Sequence, residues 1–204
     1  MSKDLSFQIS ELICTRISHD LIGNIGAVSN AVELLDDDPE SVSDVKPILE
    51  LSSKVLSARL KFFRLAFGLN NATVKNIEEL NLIATEYVQT IGNRNFPIKL
   101  NLQIKTPQLY KIVLLSIMVL SDIFIKGGVI AAIEGDTGIE FTATSENILS
   151  ASKLNTLQNC LNGNISDENP AQNAPLLYLQ DILTQSNISI KLSFTDYQAS
   201  LQIS

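Results

Sequence analysis

In the N-terminal part of the chain, apolar side chains recur at Ile9, Ile13, Ile17, Leu21, Ile25, Val28, Val32 and Leu35. Steps of three and four residues put them on one stripe of a helix from about Phe7 to Leu35, roughly 30 residues and about 45 Å long. The run "DDDPES" ends the pattern, and Pro39 with its acidic neighbours predicts a turn. A second helix is expected from near Ser43 to Phe67, with Pro47 in its first turn and Gly68 and Asn70 as stop signals. Its end, "LSARLKFFRLAFG", is apolar on more than one face: Leu56, Leu60, Phe63 and Phe67 share one line, Phe62 and Ala66 the next. A hairpin of two such helices cannot cover itself. A homodimer with a four-helix bundle at its centre is the economical prediction.

The periodicity changes after "GLNNATV", which predicts a domain boundary near residues 70–74 and divides the chain into a helical hairpin (1–70) and a second domain (74–204). Within the latter, Ile77–Ile91 reads as a helix, "IKLNLQI" (Ile98–Ile104) as a half-buried strand and Gln108–Phe124 as an apolar core helix. "GGVIAAIEGDTGIEFTATS" reads as a β-hairpin turning at Gly135–Gly138. Helices at Ala151–Cys160 and Ala174–Gln185, separated by the polar loop "NGNISDENP", precede a last hairpin, "ISIKLSFTD" and "QASLQIS". The class is α+β: a helical hairpin followed by an α/β sandwich of two layers.

Hydrophobic content of 45% marks a folded, globular chain. A net charge of −7 without any run of Lys or Arg argues against nucleic acid as a partner. The longest apolar run, "IVLLSIMVL", is too short to span a bilayer and is followed by Asp122, and the N-terminus lacks a signal-peptide core. Cys14 and Cys160 match no metal spacing and read as small buried hydrophobes of a reducing, cytoplasmic compartment.

The chain has one histidine, within "CTRISHDLIGNIGAVSNAVELL". His19 lies roughly opposite the centre of the apolar stripe and is expected to face outward with Thr15, Ile22, Gly23, Gly26 and Asn30. Glycine inside a helix costs about 1 kcal/mol relative to alanine, so two beside an exposed imidazole call for a reason. Clearance for an approaching partner is one. Asp20 supplies a carboxylate that would hold Nδ1–H and leave Nε2 as the nucleophile. Arg16 one turn earlier, and Arg59 or Arg64 on the second helix, are candidates to steady phosphoryl charge. A lone surface histidine is commonly only that, and the glycines also suit helix–helix contact; the residues alone leave both readings open.

"SHDLIGNIGAVSNAVELL", followed one hairpin later by "RLKFFRLAFG", resembles the ChpT-type histidine phosphotransferases of alphaproteobacteria. That family looks like a degenerate sensor kinase: a dimerising hairpin that carries the phospho-acceptor histidine, then an ATPase-shaped domain that no longer binds ATP. The resemblance implies His19 as the phosphorylated residue and Asp20 as its acidic neighbour, with Gly26, Asn30, Glu33 and Leu34 on the rest of the helix motif. It implies receiver docking along Thr15, Arg16, Ile22, Gly23, Gly26 and Asn30. Phosphate would come from the receiver aspartate of a hybrid histidine kinase and leave to the receivers of response regulators, each bringing its own Mg²⁺, with no cofactor held by this chain. Asn24 departs from the proline usual five residues after the histidine, which removes the cause of the usual kink.

An active kinase of this architecture needs an asparagine on the helix equivalent to "PQLYKIVLLSIMVLSDIF"; Ser116 and Asp122 are poor substitutes, and "GDTG" reads as a turn rather than a nucleotide loop. A single histidine and scattered carboxylates make no metal site. A Ser-His-Asp hydrolase would need three residues to converge, and Asp20 is offset by about 100° from His19 on the helix. The competing expectation is a non-catalytic dimeric adaptor that only binds receivers.

Overall fold

The computed structural model describes residues 3–68, 74–92, 95–164 and 170–204. Helix α1 (Lys3–Asp37) and helix α2 (Val42–Phe67) form an antiparallel hairpin, joined by a single 3-10 turn at Pro39–Ser41. The Asp38 carboxylate caps that turn by accepting from the Glu40 N–H at 3.1 Å. Because α2 starts at Val42, Pro47 lies in its second turn and not in the first, where the sequence pattern placed it. The hydrogen bond it forfeits is to the carbonyl of Ser43, an exposed residue that water can serve.

Helix α3 (Ile77–Gln89) follows, capped by the Asn76 side chain, which accepts from the Glu79 N–H at 2.9 Å. Strand β1 (Ile98–Gln103), helix α4 (Tyr110–Ser121), strands β2 (Gly128–Gly135) and β3 (Gly138–Thr144), helices α5 (Ala151–Leu161) and α6 (Ala174–Gln185), and strands β4 (Ile190–Phe194) and β5 (Gln198–Ile203) complete the chain. The five strands form one sheet in the order β1-β2-β3-β5-β4. Only β1 and β2 are parallel, with Asn101 opposite Ala131, and α4 makes the crossover between them. The β2–β3 hairpin closes with Gly135 opposite Gly138, so "GDTG" is the tight turn its composition predicts. At Gly138, φ is 152° and an added Cβ would meet the Ile203 carbonyl, so neither the backbone nor the space there admits a side chain.

Strict alternation turns Ile139, Phe141 and Ala143 of β3 and Ala199, Leu201 and Ile203 of β5 inward. Helix α4 is different: every residue from Ile112 to Ser121 is buried, which is what a helix apolar on all sides requires. It packs on β2, α3 and α6 and also reaches α2 of the hairpin. No helix among the described residues is long and apolar enough to cross a membrane.

The hairpin and the α/β part that follows share one core. Phe62, Phe63, Leu65 and Ala66 of α2 are buried with Leu80, Ala84, Tyr87 and Val88 of α3. The Phe62 ring stacks on Tyr87 at 3.7 Å between centroids, and Phe63 meets Tyr87 edge-on. Each buried phenylalanine contributes about 1.5–3 kcal/mol. This corrects part of the argument for a second copy, because the most apolar stretch of α2 is covered within the chain. What stays open is Ile25 and Val32 on α1 and Ile48, Leu51 and Leu60 on α2. The boundary expected near 70–74 and most of the loop after Asn162 lie outside the described residues.

Of the two cysteines expected to be buried, one is and one is not. Cys160 is buried, and burial pushes its thiol up to about 11, whereas Cys14 is exposed on α1. Iodoacetamide at pH 8 should therefore add one carbamidomethyl group to the folded chain, at Cys14, and a second only after denaturation; intact and peptide mass spectrometry reads both.

Candidate functional site

The site is one turn of α1 and the side chains that brace it from below. The His19 side chain is 80% exposed, and its Nδ1 lies 3.4 Å from Asp20 Oδ1. Thr15, Ile22, Gly23 and Asn30 are exposed on the same helix and Gly26 is half-buried, and Ile22 leaves 64% of its surface in solvent. The Thr15 hydroxyl donates to the Glu11 carbonyl at 2.9 Å and keeps to its own helix. A Cβ added at Gly23 or Gly26 would meet nothing within 4 Å. The glycines therefore do not serve packing within this chain, and the space above them is open. Gly23→Ala and Gly26→Ala should each stabilise the monomer fold by about 0.5–1 kcal/mol, measured as a rise in the urea midpoint.

Arg16 is the clear departure. It was expected on the open face, but only 9% of its side chain is exposed, and its guanidinium turns down into the second domain. Nε donates to Asp20 Oδ2 at 2.8 Å, while Nη1 and Nη2 donate to the two oxygens of Asp122 at 2.8 and 3.0 Å. Burial works against its charge, but Asp122 and then Asp20 outweigh burial and hold the pKa above its ordinary value. A guanidinium so committed is not a docking residue.

Arg59 is committed as well. It donates through Nη1 to the Asp20 backbone carbonyl and through Nε and Nη2 to Thr90 Oγ1 and the Thr90 carbonyl, both at 3.1 Å. Arg64 is exposed on α2. Below this layer lies Tyr87, fully buried, with a hydroxyl that has no hydrogen-bond partner among the described residues. Burial, and then the Asp122 charge, push its pKa up, so it stays a neutral phenol.

Asp122, Thr90 and Tyr87 were not legible as site residues. One signal was available: Asp122 caps the carboxyl end of α4, where the helix dipole disfavours a carboxylate. An acid in that place asks for a cation.

No family model matches the chain. Over 84 residues it is 34% identical to the protein phosphotransferase ChpT of Brucella abortus (strain 2308), a match spanning 40% of this chain and 40% of that protein. The chain resembles ChpT-type phosphotransferases. A solved bacterial phosphotransferase, 21% identical, shares the fold with a TM-score of 0.77 over 100% of this chain and 98% of its own. The histidine kinase domain of a blue-light-activated kinase from Erythrobacter litoralis EL346 aligns with a TM-score of 0.44 and 9% identity over 93% of this chain and 91% of its own.

Set against the ChpT-type helix motif, Asn30, Glu33 and Leu34 lie exposed on α1 downstream of His19, and Gly26 is half-buried. The helix runs unbroken through Asn24. A proline there would leave the Asp20 carbonyl without its helical donor. Arg59 donates to that same carbonyl, so the turn below His19 has a second source of hydrogen bonding whichever residue occupies position 24. Among the described residues no group of three or more His, Cys, Asp or Glu is placed to hold a metal ion.

Proposed function

We propose that this chain is a phosphorelay histidine phosphotransferase with His19 as its phospho-acceptor. The observation that carries the reading is an imidazole with 80% of its side chain exposed whose Nδ1 faces a carboxylate, which leaves Nε2 as the nitrogen to react with a partner. Nε2 attacks the phosphorus of an aspartyl phosphate; the N–P bond forms as the acyl P–O bond breaks and the donor carboxylate leaves. The ring gains positive charge in that step, and Asp20 at Nδ1–H offsets it. In the return step a second aspartate attacks phosphorus, the N–P bond breaks and Nε2 recovers its lone pair. The protein's part is mostly positioning. The donor is the receiver of a hybrid histidine kinase, the acceptors are receivers of response regulators, and both bring Mg²⁺.

Receivers dock along the His19 face, with Ile22 as the apolar contact and Gly23 and Gly26 giving clearance. Incubation with a phosphorylated receiver should transfer label to the chain in a form lost in acid and kept in alkali. A bulky Gly26→Phe should slow that transfer at unchanged stability. A chain that binds receivers tightly yet never takes up label is the adaptor, and the phosphotransfer reading is then wrong.

The acting unit is a homodimer. Ile25 and Val32 on α1, with Ile48 and Leu51 on α2, repeat at bundle spacing and stay exposed in the single chain. Light scattering should return twice the chain mass, and Leu51→Glu should return the mass of one.

A further inference from the structure

We propose that Asp122, which belongs to the second domain, is a positioning residue for phosphotransfer, acting on His19 through Arg16 and Asp20. The inference rests on His19 being the phospho-acceptor, and its main readout does not.

Four residues lie in series. Asp122 takes both Nη donors of Arg16, which fixes the plane of the guanidinium. The Nε–H, on the side edge of the guanidinium, binds Asp20 Oδ2 and so sets the rotamer of that carboxylate. Its other oxygen, Oδ1, is thereby held toward His19 Nδ1 at 3.4 Å. Asp20 neighbours His19 in sequence and would otherwise sample several rotamers, only some of which reach the ring. Free imidazole prefers its proton on Nε2, the nitrogen that must attack. A carboxylate held at Nδ1 reverses that preference.

The placement of Asp122 argues that the contact matters. A carboxylate at the carboxyl end of α4 opposes the helix dipole, and Arg16 is the cation that answers it. Joined this way, the second domain holds the proton of the phospho-acceptor in place, and its contact with the hairpin becomes part of the site.

The test uses the full chain and its one histidine, which gives a single set of imidazole nitrogen signals. In the wild type, two-dimensional ¹⁵N spectra above pH 8 should show a ring protonated mainly on Nδ1. In Asp122→Asn the population should move toward Nε2–H. Asp122→Glu, which keeps the charge, should restore most of it. Transfer from a phosphorylated receiver should slow about 10-fold in Asp122→Asn with its KM for the receiver unchanged, the scale seen for outer partners of orienting histidine contacts. Should Asp122→Asn fail to fold, Arg16→Lys serves: a single ammonium cannot span both carboxylates, and the same tautomer change is expected. An unchanged tautomer in either folded variant overturns the proposal. A wild type that is Nδ1-protonated but never takes up phosphate overturns the phosphotransfer reading instead.

Discussion

His19→Ala should abolish phosphoryl uptake and leave the protein folded. The chain has no second histidine to accept the group, so residual N–P label would have no imidazole to occupy. Removing a nucleophile costs about 10³-fold or more even where other groups still bind and orient the substrate. Here the signal should fall to background. The fold should not notice, because the ring is 80% exposed and its polar contact among the described residues is with Asp20. A surface substitution of that kind lies within about 0.5 kcal/mol of neutral, and alanine is the better helix former. The melting temperature should thus stay within about 2 °C. Retention of acid-labile label in His19→Ala, with the melting temperature unchanged, would place the acceptor elsewhere and end the proposal.

The hairpin was legible because its residues repeat locally. Ile9, Ile13 and Ile17 announce one face of α1, the acidic run with Pro39 announces its end, and the exposed His19 follows from the position of the stripe. The strands were legible for the same reason, as in the alternation of Ile139, Phe141 and Ala143. Periodicity says that a face is apolar and is silent on what covers it. Phe62 and Phe63 could not be assigned to a partner chain or to α3, and it is the Tyr87 ring that covers Phe62. Charge patterning fails in the same way at long range. Arg16 and Asp122 are 106 residues apart, and no local rule connects them. Arg16 therefore read as one more outward cation beside the histidine. The helix geometry that put it near His19 was right, and the rotamer that carries its charge inward was beyond reach.

Arg16→Ala should destabilise the chain by about 3 kcal/mol or more, because it strands two carboxylates with 16% and 22% of their side chains exposed. For a chain of this size that is a fall of roughly 6–12 °C in melting temperature, measurable by calorimetry or circular dichroism. The double variant Arg16→Met/Asp122→Leu tells more. Paired replacement by apolar residues of similar volume commonly matches or exceeds a buried ion pair, since neither charge then needs desolvating. It should recover the part of the loss that comes from Asp122, while Asp20 still lacks its cation, and a double variant no more stable than Arg16→Ala would contradict that account. Stability alone, then, gives little reason to keep a guanidinium against Asp122. Its Nε–Asp20 contact does, because an apolar pair could hold the domains together but could not aim a carboxylate at His19. The partly recovered double variant should accordingly fold like the wild type, carry its imidazole proton on Nε2, and transfer slowly.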